Sequence, residues 1–124
     1  MGNPMAKFHT LANPQIPGVK DVEPKELFAK RSEVVIIDVR RPDEFTGELG
    51  HVAGSELMVL DTLPQRLGEL PKDKTVVFVC RSGNRSAQAA GFALEHGFSD
   101  VYNMRGGMLL WNELGLEVAG RNEF

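Results

Sequence analysis

Thr75-Val76-Val77-Phe78-Val79-Cys80-Arg81-Ser82-Gly83-Asn84-Arg85-Ser86-Ala87-Gln88-Ala89-Ala90 decides the reading of this chain. It opens with an apolar run over 75–79, continues as a polar loop over 80–85, and passes into a small-residue segment from Ser86. An uninterrupted β-branched and aromatic run of this kind reads as a strand buried on both faces. The segment from about Ser86 carries Ala89, Ala90, Ala93 and Leu94 at helical spacing, and Gly97 fits its C-terminal stop. Strand, tight loop and helix N-terminus together make an anion cradle, because backbone N–H groups converge and the helix dipole adds positive potential. Cys80, the only cysteine, stands at its mouth, and Arg81 and Arg85 share the loop. The thiolate is the nucleophilic form of cysteine, and this cradle favours negative charge. The segment predicts a cysteine nucleophile that acts on, or carries, an anionic group. A buried structural cysteine is the competing reading, but the Gly, Asn and Arg that follow do not suit it.

Outward from this segment the chain alternates strands and helices. Val34-Val35-Ile36-Ile37-Asp38-Val39 is a second β-branched run of the doubly buried kind. Val19-Lys20-Asp21-Val22 reads as a short edge strand, and Pro24 suits the first turn of a helix with Leu27 and Phe28 on its apolar face. Pro42-Asp43-Glu44-Phe45 reads as a helix start with acidic residues in its first turn. Ser55-Glu56-Leu57-Met58 and Val101-Tyr102-Asn103-Met104 read as further short strands. Asp61 is placed to cap a helix carrying Leu63, Leu67 and Leu70. Gly106-Gly107 makes a tight turn before a last helix, with Trp111 on its buried side. The pattern predicts a layered α/β domain with a mainly parallel sheet. Ligands of such sheets sit beyond the carboxyl ends of the strands, where Asp38-Val39-Arg40 and Cys80 both fall. Residues 1–17, with prolines at 4, 14 and 17, read as a flexible or loosely docked arm, 18–120 as the domain, and 121–124 as a tail.

At 124 residues the chain is long enough to bury one core. Its formal net charge of −3 leaves no basic stripe for nucleic acid. One cysteine excludes an intramolecular disulfide and a multi-cysteine zinc site, and a free thiol favours a reducing compartment such as the cytoplasm. No segment has the apolar core of a signal peptide or the length of a membrane span. His9 and His96 are isolated, without metal-ligand spacing, and His51 among its glycines reads as a structural hydrogen-bonding residue.

Three segments together resemble the rhodanese family of sulfurtransferases. The first is Asp38-Val39-Arg40 with Pro42, Glu44-Phe45 and Gly50-His51-Val52-Ala53-Gly54-Ser55; the second is Cys80 to Ser86; the third is Asn103-Met104-Arg105-Gly106-Gly107-Met108 with Trp111. The resemblance implies a rhodanese-like three-layer α/β fold with a mostly parallel five-stranded sheet flanked by helices. It implies that Cys80 is the sulfur-accepting nucleophile, with Arg81, Ser82, Gly83, Asn84, Arg85 and Ser86 forming the substrate-binding loop. Cys80 and Arg85 bracket four residues; related phosphatases and arsenate reductases carry a loop one residue longer, so the shorter cradle points to sulfane sulfur. The implied donor is thiosulfate or a persulfide, and the acceptor a thiol or cyanide, with thioredoxin or another sulfur-relay protein as a partner. No cofactor and no metal are expected. The alternative is a non-catalytic or redox-sensing module that binds a protein partner.

Within the loop, Arg81 is expected to attract the anionic donor, and Arg85 to tie the loop down through a carboxylate such as Asp38 or Glu44. Gly83 and Asn84 suit left-handed or tight backbone. Ser86 is expected either to cap the helix or to hydrogen-bond the Cys80 sulfur. Asp38 and Arg40 read as an ion pair bracing the loop, and Arg105 as a residue of the pocket rim.

Overall fold

A computed structural model describes residues 8–121 of the chain; residues 1–7 of the arm and 122–124 of the tail lie outside the described residues. The chain runs through β1 (Leu11–Ala12), β2 (Lys20–Val22), α1 (Pro24–Lys30), β3 (Val35–Asp38), α2 (Pro42–Phe45) and β4 (Glu56–Leu57). It continues through α3 (Leu63–Arg66), β5 (Val76–Val79), α4 (Asn84–Glu95), β6 (Val101–Met104) and α5 (Gly107–Glu113). The strands form one six-stranded sheet in the order β1-β2-β6-β5-β3-β4, parallel throughout except for β1.

The doubly buried reading of the two apolar runs is visible side chain by side chain. Successive residues of a strand face opposite sides of a sheet. In β5, Val76 and Phe78, and Cys80 just beyond, join a core with Ala89, Ala90 and Ala93 of α4 and with Leu63, Leu67 and Leu70. Val77 and Val79 join the opposite core with Leu27 of α1 and Met108 and Trp111 of α5. Both faces of the central strands are therefore covered by helices, which is why the runs lack polar alternation. It also fixes Cys80 on the α4 side, where Ser86 can reach it.

Three expectations need correction. Lys20–Val22 is not an edge: Leu11–Ala12 pairs antiparallel outside it, and the sheet has six strands where the resemblance implied five. A two-residue strand with Leu11 59% exposed has no hydrophobic pattern to read. Asp61 does not cap the helix over 63–66; it lies within a 3-10 turn at Leu60–Thr62, and no side chain caps α3. Leu63, Leu67 and Leu70 are buried as their spacing predicts. Helix α4 starts at Asn84, slightly earlier than its alanine pattern indicates, and Gly97 turns the chain after it with φ +91°. No helix among the described residues is long and apolar enough to cross a membrane.

Candidate active site

Cys80 follows the last residue of β5 and is 1% exposed. The loop after it folds back so that the Gly83 amide donates to Cys80 Sγ at 3.1 Å. Gly83 takes φ +97°, a left-handed conformation that a side chain disfavours, as the residue before the first turn of α4. The loop is clasped from outside by the start of α5: the Met108 amide donates to the Cys80 carbonyl at 2.9 Å and the Leu109 amide to the Arg81 carbonyl at 3.0 Å. Gly107 makes this approach possible. A Cβ there would lie 2.4 Å from the Arg81 carbonyl oxygen and 2.5 Å from that of Cys80. Two loop carbonyls are thus directed away from the sulfur, toward α5.

Two ion pairs hold the surrounding wall. Arg85 of α4 binds Glu44 of α2 in a two-pronged contact, Nη1 to Oε1 at 2.8 Å and Nη2 to Oε2 at 2.9 Å. Of the two carboxylates expected for Arg85, Glu44 is the one it meets. Asp38 is occupied by Arg40, whose Nε and Nη2 donate to the carboxylate at 2.8–3.1 Å. Arg40 also donates to the backbone carbonyls of Glu44, at 3.2 Å, and Gly50, at 2.7 Å, and both Asp38 and Arg40 are buried. This pair ties the end of β3 to the segment that carries Glu44. His51 hydrogen-bonds the Phe45 carbonyl at 2.8 Å and stacks on the Phe45 ring, a structural role.

The hydrogen bonds from Arg85 hold the Glu44 carboxyl down at about 2, well below its ordinary 4.5, against the opposing effect of desolvation. A carboxyl lowered in the folded state stabilises the fold above its unfolded value and loses that contribution as the pH falls toward its folded one. Stability is therefore expected to drop by on the order of 2 kcal/mol between about pH 4.5 and 2 through this pair, after discounting for its partial exposure. A Glu44→Gln variant should lose much of that acid-dependent component, as read by urea denaturation across this pH range.

Arg81 is exposed and lines a cavity of about 180 Å³ with Arg40, Glu44, Glu48 and Leu49. Its guanidinium makes no hydrogen bond or ion pair among the described residues. Arg105 does not share this cavity. Its guanidinium pairs with Glu23, with Nε to Oε2 at 2.5 Å and Nη2 to Oε1 at 2.7 Å. It lines a separate groove of about 480 Å³ beside α1 and α5. Among the described residues no group of three or more His, Cys, Asp or Glu side chains is placed to hold a metal ion.

Ser86 takes the second of its two expected roles. Its Oγ lies 3.2 Å from Cys80 Sγ, and it does not cap α4. The same oxygen lies 2.5 Å from Asn103 Oδ1, and Asn103 Nδ2 donates to Asp21 Oδ1 at 2.9 Å. Asp21 and Asn103 are register partners on β2 and β6. The one-dimensional signal for this contact is a polar residue beside buried apolar ones in each of two strands, and it does not say that the two meet.

The fold has counterparts among known proteins. The model of the rhodanese-like domain matches residues 23–114. The chain belongs to the rhodanese-like domain family. A sulfurtransferase of Allochromatium vinosum is 36% identical over 90 residues, covering 73% of this chain and 82% of that one. The thiosulfate sulfurtransferase GlpE of Pseudomonas syringae pv. syringae is 37% identical over 93 residues, covering 74% and 86%. The crystal structure of a rhodanese-related protein from Thermoplasma volcanium superposes with a TM-score of 0.75 at 28% identity, over 81% of this chain and 97% of that one. The matched region of this rhodanese runs from the residue before α1 to the end of α5. It includes Cys80, its loop and both bracing ion pairs, and it leaves out β1 and β2.

Proposed function

We propose that this rhodanese moves sulfane sulfur from thiosulfate or a persulfide donor to a thiol or cyanide acceptor, through a persulfide on Cys80. Its family and its sulfurtransferase relatives support sulfur transfer as the reaction class. The observation that carries the assignment of Cys80 is the Gly83 amide directed at its sulfur inside a loop whose carbonyls at 80 and 81 are turned away. Such an amide stabilises negative charge wherever it resides, on the thiolate or on the persulfide.

In the first half-reaction the Cys80 thiolate attacks the outer sulfur of thiosulfate. The new S–S bond forms as the bond to the sulfonate sulfur breaks, and sulfite leaves with the electron pair. In the second, cyanide or a thiolate attacks the terminal persulfide sulfur and releases the Cys80 thiolate. Once Cys80 is the thiolate, neither half-reaction moves a proton at sulfur and both leaving groups depart as anions, so the site needs no general acid. The two half-reactions make the kinetics ping-pong. Thioredoxin or another thiol protein of a sulfur relay suits the acceptor role.

Arg81 is suited to the first contact with an anionic donor, because its guanidinium is not committed elsewhere among the described residues. Arg85 and Arg40 are already neutralised by Glu44 and Asp38. Arg81→Ala is expected to raise KM for thiosulfate about tenfold while changing kcat little, the signature of a lost ground-state contact. Steady-state kinetics with thiosulfate and cyanide test both points. Parallel double-reciprocal lines support the persulfide route, whereas intersecting lines would argue for direct transfer in a ternary complex.

A further inference from the structure

A chain of buried polar groups leads from the reactive sulfur to a carboxylate that the transfer chemistry does not use. Ser86, Asn103 and Asp21 are 0%, 1% and 5% exposed. Ser86 Oγ lies 3.2 Å from Cys80 Sγ and 2.5 Å from Asn103 Oδ1. Asp21 Oδ1 receives two amide donors, Asn103 Nδ2 at 2.9 Å and Asn13 Nδ2 at 3.0 Å.

Donor and acceptor bookkeeping fixes the direction of every proton in this chain. A carboxylate oxygen only accepts, so Asp21 keeps the NH₂ of Asn103 turned toward itself. The Asn103 oxygen must then face Ser86, and it too only accepts. The single hydroxyl hydrogen of Ser86 is drawn to Asn103, which leaves lone pairs toward the sulfur. In this arrangement Ser86 accepts from the Cys80 thiol. It can donate to a thiolate only by turning its hydrogen away from Asn103, which leaves a buried acceptor unpaired.

We propose that Asp21, acting through Asn103, aims the Ser86 hydroxyl and so sets the balance between thiol and thiolate at Cys80. Asp21 is a positioning residue in this scheme, 59 positions from the sulfur in sequence and linked to it by the parallel register of β2 and β6. The network gives up a hydrogen bond when the sulfur becomes anionic. The proposal relies on Cys80 as the reacting group but not on sulfur as its cargo, so its test is independent of any transfer assay. The other charged groups around the sulfur stay in place in the variants below. They are Arg81 in the loop, Arg85 of α4 with its partner Glu44, and the Asp38–Arg40 pair at the end of β3. Arg105, at the end of β6, is the cation that senses Asp21.

The test is titration of the thiolate by its ultraviolet absorbance. The chain has one cysteine and one tyrosine. Burial and the Asp100 carboxylate push Tyr102 up to about 12, out of the way of a thiolate signal at lower pH. Asp21→Ala removes the acceptor that orients Asn103, and is expected to raise the thiolate-to-thiol ratio at a fixed pH about fivefold. Asp21→Asn retains an oxygen at the Oδ1 position and is expected to stay within about twofold of the native ratio. In a Ser86→Ala background Asp21→Ala is expected to have no further effect. Asn103→Ala, which frees the Ser86 hydrogen directly, should reproduce the Asp21→Ala shift and serves if that variant does not fold. If Asp21→Asn shifts the ratio as much as Asp21→Ala, the charge of Asp21 matters and the hydrogen-bond chain does not. An equal shift in the Ser86→Ala background, or none in either Asp21→Ala or Asn103→Ala, overturns the proposal.

Discussion

Replacing Cys80 by Ala is expected to bring sulfur transfer down to background while leaving the fold in place. The side chain lost is small. Its sulfur accepts from the Gly83 amide and lies beside Ser86, but the loop is held mainly by contacts that do not involve it. Those are the α5 amides on the carbonyls of residues 80 and 81, and the Arg85–Glu44 pair. The stability cost is therefore about 1 kcal/mol, at the low end for a buried truncation. The catalytic cost is the whole covalent route, because the protein has no second thiol to take over. Cys80→Ser should be equally inactive despite retaining a hydrogen-bonding atom, since an alkoxide is not accessible where a thiolate is. Transfer assays paired with thermal denaturation separate the two effects. Turnover retained by either variant would remove Cys80 from the reaction.

The largest loss of stability is expected from Asp38→Ala. Arg40 is 1% exposed and Asp38 0%, so removing Asp38 leaves a buried guanidinium without its charge partner. It keeps only the carbonyls of Glu44 and Gly50. A buried pair broken from one side typically costs about 3–5 kcal/mol, a large share of the stability of a domain this size. The damage should spread to the site, because those two carbonyls belong to the segment that presents Glu44 to Arg85. Replacing both partners, as in Asp38→Ala with Arg40→Met, should recover most of the loss, because no uncompensated charge is then left inside. Urea denaturation measures both variants. A loss below about 1 kcal/mol for Asp38→Ala would show that water reaches Arg40 and that the pair is not a structural brace.

How much of this was legible in the sequence depends on how local each feature is. The strands over 35–38 and 76–79 were readable because burial on both faces leaves a continuous apolar run. The Cys80 loop was readable because a nucleophile, a left-handed glycine and a helix start lie within seven residues. Arg85 narrowed to two carboxylates, and only three-dimensional placement could choose Glu44. The partner of Arg105 was not legible: Glu23 is 82 positions away and belongs to no motif. Asp21 escaped for the same reason, since β2 and β6 come together only through the order of the sheet. Strand β1 escaped because two residues cannot show a period. The Asp61 cap failed because the chain enters α3 through a 3-10 turn, where backbone bonds replace a capping side chain.

The central claim is that Cys80 carries the transferred sulfur. It is tested most directly by the intact mass of the purified protein before and after incubation with thiosulfate, beside a Cys80→Ala control. A gain of one sulfur atom, discharged by cyanide and absent from the control, is the predicted result. No gain with thiosulfate or with a low-molecular-weight persulfide, or a gain that persists in the control, would contradict it.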